Sequence, residues 1–306
     1  MALTASKKSE ITLGSVLFNW PAERWRDFYF RIADEAPVST VYVGEVVCSK
    51  RAPLFAPFMP EVVDRLKAGG KTVVLSTLSE VASDKDRQLI ESVCAATDHL
   101  VEANDASALY ALKGRPHHVG PFLNVYNEGT AAFLVRGGAR NFCLPPEMPA
   151  TAIRNLSTQI RHPDITVEVF AFGRVPLALS ARCYHARAHG RTKDSCQFVC
   201  EDDADGFALN TLEGQPFLAV NGIQTLSYEY LSLAAEVADL RAMGVSRFRL
   251  SPHSCDMVAV ASIFRRLADG ALSGGEATAM LRASIAERLC NGFYHGKPGF
   301  ACVSTD

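Results

Sequence analysis

The chain has no run of about eighteen apolar residues among its 306, so it offers no candidate for a membrane-spanning helix. Its opening segment, MALTASKKSE, lacks an apolar core, and no secretory signal is expected. An excess of charge of one sign is also missing. The formal net charge is −2, with 21% charged residues, which gives no electrostatic case for nucleic-acid binding. Local catalytic signatures are absent: there is no G-x-S-x-G elbow, no H-E-x-x-H helix, no P-loop and no G-x-G-x-x-G. GGARNF is only a turn. The C-x₃-C-x₂-C spacing of enzymes that cleave S-adenosylmethionine is not found either. Low-complexity linkers and short repeats are missing as well.

What the chain does have is cysteine and apolar mass. Nine cysteines without a leader point to a reducing compartment, where thiols bind metal, catalyse or lie buried rather than pair. An odd number also fits a disulfide framework poorly, and the cytoplasm is the expected location. Hydrophobic residues make up 48% of the sequence, ample for a large core. The length allows two domains or one α/β barrel of about 250 residues or more.

Strand-like and helical runs alternate from the start. The predicted strands are Ile11–Phe18, VSTVYVGEVV from Val38, TVVLST, HLVEA, HHVGPFLNVYN from His117, NFCLPP from Asn141, ITVEVFAFG, and RFRLSPH. Between them the apolar spacing is helical, as in Trp25, Phe28, Tyr29, Ile32 and Ala33, or in Leu89, Ile90, Val93 and Cys94. One helix is expected over Pro57–Ala68, stopping at Gly69–Gly70. Others are expected over Asp105–Lys113, over Glu128–Arg136, around Ile153, Leu156 and Ile160, around Leu233, Val237 and Leu240, and from Asp256 and Glu276. Eight strands, each followed by a helix, predict a (β/α)8 barrel like that of triosephosphate isomerase. It forms a single domain over 1–306, with an insertion over 174–230 that shows no clear helix.

Such barrels work at the C-terminal ends of their strands. Cys48 lies just past the second strand, and the insertion leaves the seventh. Cys183, Cys196 and Cys200 crowd into that insertion, so all four can meet over one mouth. Thiolates this close suggest a metal site, and both an iron–sulfur cluster and zinc remain open. Cys255, near the same mouth after the eighth strand, is an alternative to Cys48. Cys94 and Cys143 read as buried small hydrophobes, and Cys290 and Cys302 lie far off in the tail. His185 and His189 could ligate but read as exposed loop residues. Lys50, Arg51, Arg182, Arg187, Arg191 and Lys193 are either solvated loop charges or counter-charges for thiolates. Asn124, Tyr126, Glu147 and His253 are mouth positions able to brace a loop or touch substrate.

The segment EVFAFGRVPLALSARCYHARAHGRTKDSCQFVC, Glu168 to Cys200, resembles the collagenase-like peptidase family. That signature has Glu, one residue, Phe, then Gly-Ala and a cysteine-bearing segment. GRVPLALSARC, with Pro176 where peptidase-like members carry cysteine, and GEVVCSKR around Cys48 are similar to a branch serving oxygen-independent ubiquinone biosynthesis. The resemblance implies a [4Fe–4S] cluster whose iron is held by Cys48, Cys183, Cys196 and Cys200. It also implies a paralogous subunit in a heterodimer, a lipid-carrier protein, and a prenylated phenolic substrate. The implied reaction is hydroxylation of the ring without dioxygen, with prephenate proposed as the oxygen source. The departure from the peptidase signature argues against proteolysis. The alternative is a non-catalytic barrel scaffold, stapled by metal, for a catalytic partner.

Overall fold

The computed structural model describes residues 9–160 and 162–304. Its strands are β1 (Glu10–Leu13), β2 (Thr40–Val43), β3 (Thr72–Ser76), β4 (Leu100–Ala103), β5 (His117–Val119), β6 (Ala139–Leu144), β7 (Thr166–Leu179), β8 (Phe207–Asn210), β9 (Pro216–Asn221), β10 (Gln224–Ser232), β11 (Arg247–Leu250) and β12 (Leu289–Cys290). β1 to β7 pair in sequence order, all parallel. β11 pairs in parallel with both β7 and β1 and closes the ring. The result is the expected (β/α)8 barrel. Among the described residues no helix is long and apolar enough to cross a membrane.

Apart from β7, the barrel strands are three to six residues long and largely buried. β2 ends at Val43, not in the GEVV run. Gly44 has φ +139°, and a Cβ there would sit 2.6 Å from the Ser76 carbonyl, so the chain turns where only glycine fits. Outside the ring, Trp25, Tyr29, Ile32 and Ala33 of helix Ala22–Glu35 are buried, as are Val62, Val63 and Leu66 of helix Met59–Ala68. Asp105 and Asn127 cap the helices that follow β4 and the mouth turn after β5, supplying acceptors to otherwise unpaired amides.

β7 departs most from expectation. It runs fourteen residues, well past the barrel rim. Its first half pairs with β6 and β11, and its outer half pairs antiparallel with β10, which pairs with β9, which pairs with β8. The 174–230 stretch therefore carries an antiparallel extension of the barrel sheet, and it includes a short helix, Tyr184–Ala188. β12, from the tail, adds to β10.

The barrel interior holds a polar layer that apolar strand patterns did not announce. Arg249 on β11 grips Glu168 on β7 through Nε (3.2 Å) and Nη2 (2.7 Å), and its Nη1 pairs with Glu102 on β4. The guanidinium lies 3.7 Å from the centre of the Tyr42 ring. Tyr42, Asn141 and Thr12 also donate to Glu168, and Ser76 and Asn104 donate to Glu102. Burial alone would raise the Glu168 carboxyl; Arg249 more than offsets it, with help from Arg247 and Thr12, and holds it at about 2.

Removing one partner of such a buried pair costs about 3–5 kcal/mol. Arg249→Met should therefore lower the urea midpoint at neutral pH by a corresponding amount. Glu168 has a depressed folded value, so its contribution is present above about 4.5 and is lost as pH falls toward 2. The gap between wild type and variant should shrink over that window in denaturation curves taken from pH 6 to 2.5.

Candidate metal centre

The loop after β2 and the insertion close on each other over one side of the barrel mouth. Cys48, Cys183, Cys196 and Cys200 line one cavity of about 370 Å³ there, together with Lys50, Arg51, Phe198 and Ile223. No three of the four sulfurs fall within 4.8 Å of one another. Cys255 is not on that wall; its sulfur packs 3.7 Å from Met257 Sδ. Cys94 and Cys143 are buried in the core, Cys290 is buried in β12, and Cys302 is exposed.

Local structure positions each thiol. Glu45 accepts the Val47 and Cys48 amides (2.7 and 2.8 Å) and folds the loop that presents Cys48. Cys183 caps helix Tyr184–Ala188, its sulfur accepting the Ala186 N–H at 3.4 Å. Between Cys196 and Cys200, Gln197 and Phe198 both adopt left-handed backbone conformations, with φ of 49° and 54°. Such residues cost about 1–3 kcal/mol each and concentrate where a site dictates the backbone.

The surrounding charge is positive. Lys50 Nζ lies 3.7 Å from Cys196 Sγ and donates to the Lys193 and Asp194 carbonyls. Arg51 is buried beneath the cavity, donating to the Leu17 carbonyl and to Asn221 Oδ1, each at 2.9 Å. Burial pushes the Cys48 and Cys200 thiols up, and the Arg51 guanidinium offsets only part of that rise. Lys193 lines the cavity and Arg191 donates to the Cys196 carbonyl. Arg182 and Arg187 are exposed. Of the six basic residues, Lys50, Arg51 and Lys193 line the cavity, Arg191 reaches its edge, and two are exposed.

A second cavity of about 330 Å³ opens at the barrel mouth, floored by Glu102 and Arg249 and walled by Ser15, Leu17, Phe122 and Ser251. The Ser251 hydroxyl has no partner among the described residues. Leu17, Val46 and Phe122 belong to an apolar cluster that also packs against Cys48 and Cys183, so a thin apolar partition separates the two cavities. Neither Glu102 nor Arg249 stood out from sequence, although a charged residue inside a doubly buried strand is itself the signal. Of the four proposed mouth residues, His253 is buried as a brace, its Nε2 accepting the Arg174 N–H and its Nδ1 donating to the Ser251 carbonyl. Tyr126 pairs with Glu147 at the surface. Asn124, with φ 54°, turns the chain. None of these lines either cavity. His185, expected to be exposed, is completely buried, because the outer sheet covers it; His189 is exposed.

Eight parallel strands closed by flanking helices make this a (β/α)8 barrel protein, and its inserted sheet carries a cysteine-lined cavity. Residues 22–303 match peptidase family U32, and the chain belongs to that family, the collagenase-like one its cysteine segment resembles. Among solved structures, the chain is similar to one from the tryptophan synthase complex of Pyrococcus furiosus. Identity there is 12%, coverage is 92% of this chain and 98% of that one, and the TM-score is 0.43. It is also similar to a putative dihydrodipicolinate synthase family protein from Coccidioides immitis, with 6% identity, 92% and 79% coverage and a TM-score of 0.39. Neither likeness bears on activity.

Gly222 sets the space for Arg51. It has φ +60°, and a Cβ there would lie 2.8 Å from Arg51 Nη2 and 3.2 Å from Val47 Cγ1. Gly190 has a similar φ of +67° with nothing within 4 Å. Gly222→Ala and Gly190→Ala therefore share the backbone strain, and only the first crowds the guanidinium. Chemical denaturation should place Gly222→Ala at least about 1 kcal/mol below Gly190→Ala.

Proposed function

We propose that this protein is the iron–sulfur subunit of an oxygen-independent hydroxylase acting on the prenylated aromatic ring of ubiquinone precursors, the role of UbiV. The observation that carries the reading is the meeting of Cys48, Cys183, Cys196 and Cys200 on one cavity, although Cys48 comes from the barrel and the others from the insertion. Within the family, Pro176 in GRVPLALSARC and the GEVVCSKR segment around Cys48 favour this branch over the peptidases. UbiU-like and UbiT-like proteins are then the paralogous partner and the lipid carrier, and the cytoplasm is the place of work.

The donor set suits the group. Four thiolates are the usual ligands of a [4Fe–4S] cluster. Bound there, a cluster supplies one-electron transfer at a potential tuned by burial and hydrogen bonds to sulfur. The chain's own residues do the rest. Arg51 and Lys50 offset thiolate charge, while Phe198, Val199 and Ile223 keep water from the sulfurs. The mouth cavity over Glu102 and Arg249, one apolar partition away, is the place this reading assigns to the reacting partner.

Protein purified without oxygen should be brown and carry about four irons and four sulfides per chain. Cys→Ser at any of the four positions should at least halve the iron. A colourless wild-type protein with stoichiometric zinc would overturn the reading. Variants that still fold and bind the partner but lose ring hydroxylation assign the site to chemistry. Variants that only unfold the insertion favour the scaffold alternative.

A further inference from the structure

The insertion holds a second group of potential metal ligands that the cysteine site does not use. His185 and His189 stand one helical turn apart, within helix Tyr184–Ala188 and at its C-cap. Their rings are nearly parallel, with centroids 5.4 Å apart. Asp203, just beyond the turn Val199–Glu201, meets them. One nitrogen from each ring and one Asp203 oxygen lie within 4.8 Å of one another, and the Phe207 ring packs against both imidazoles.

Hydrogen bonds decide which nitrogens are free. His185 Nδ1 lies 3.1 Å from the Val220 carbonyl, and His189 Nδ1 lies 3.0 Å from the His185 carbonyl. A carbonyl only accepts, so each Nδ1 carries the proton and each neutral ring keeps its lone pair on Nε2. Fixing the tautomer through a backbone carbonyl is how metal-binding histidines are oriented. His185 is fully buried, yet its Nε2 faces Asp203 Oδ2 at 2.9 Å. Either a proton on Nε2 or a metal ion can join the two.

We propose that His185, His189 and Asp203 bind a divalent first-row transition ion, zinc or ferrous iron, at a site separate from the cysteine cavity. Two imidazoles and one carboxylate suit such ions better than magnesium or calcium, which prefer all-oxygen sets. Three protein ligands leave coordination positions open to water or a small ligand. The exposure of His189 gives the ion a way in. The proposal does not rest on what the cysteines hold.

Cobalt(II) is the probe, titrated without oxygen into the full-length protein and into its His189→Ala and Asp203→Asn variants, with visible absorption followed. Thiolate-bound cobalt shows intense sulfur-to-metal charge transfer; cobalt on nitrogen and oxygen does not, so the two sites separate in one experiment. Wild type should bind one equivalent without the thiolate signature. Both variants should bind that equivalent at least tenfold more weakly while retaining any thiolate-type absorption. His189 is on the surface, so its replacement leaves the core intact, and matching melting curves verify this. Unchanged affinity in His189→Ala, or a thiolate signature on all bound cobalt, would overturn the proposal and leave His185–Asp203 as a simple imidazolium–carboxylate pair.

Discussion

A buried guanidinium needs negative charge beside it, and Arg51 is the point where that requirement shapes the molecule. Arg51 cannot lose its proton; it donates to two neutral oxygens, Leu17 O and Asn221 Oδ1, and also hydrogen-bonds Cys200. The groups within reach that can carry compensating charge are Glu45 and, when deprotonated, Cys48 and Cys200. Leu17 belongs to the barrel, Asn221 to β9, Cys48 to the β2 loop and Cys200 to the insertion. One charge therefore organises four separate stretches of chain. It also explains why a neutral lining of the cavity would be unstable: without thiolate or carboxylate nearby, the guanidinium would be stranded away from water.

The barrel core uses the same principle with a different outcome. Arg249 is matched by two carboxylates whose remaining oxygens are satisfied by Thr12, Tyr42, Ser76, Asn104 and Asn141. Arg51 instead faces the cysteine-lined cavity, beside Cys48 and Cys200. The apolar cluster of Leu17, Val46 and Phe122 lies between the two electrostatic environments.

Much of the fold was legible because parallel strands and amphipathic helices carry different periods. TVVLS, TVYV and RFRL gave themselves away, and the Gly69–Gly70 stop fell where expected. The outer sheet was not legible. Its strands are half exposed and short, as in FALN and PFLAVN, and they are defined by pairing with the end of β7, a partner that no local pattern names. The meeting of Cys48 with the other thiols could be inferred from barrel topology. The roles of Arg51 and His185 could not, because both depend on what the insertion covers. Arg249, Glu168 and Glu102 were visible as letters, but their significance lies in three strands pointing them at one spot.

β7 is at once a stave of the barrel and the spine of the outer sheet. No loop intervenes at which the insertion could pivot or be exchanged. Force applied to the outer sheet by a docking protein would pass along a continuous backbone into the ring. Evolution, likewise, could remodel this appendage residue by residue but could not shed it without cutting a strand that the barrel itself requires.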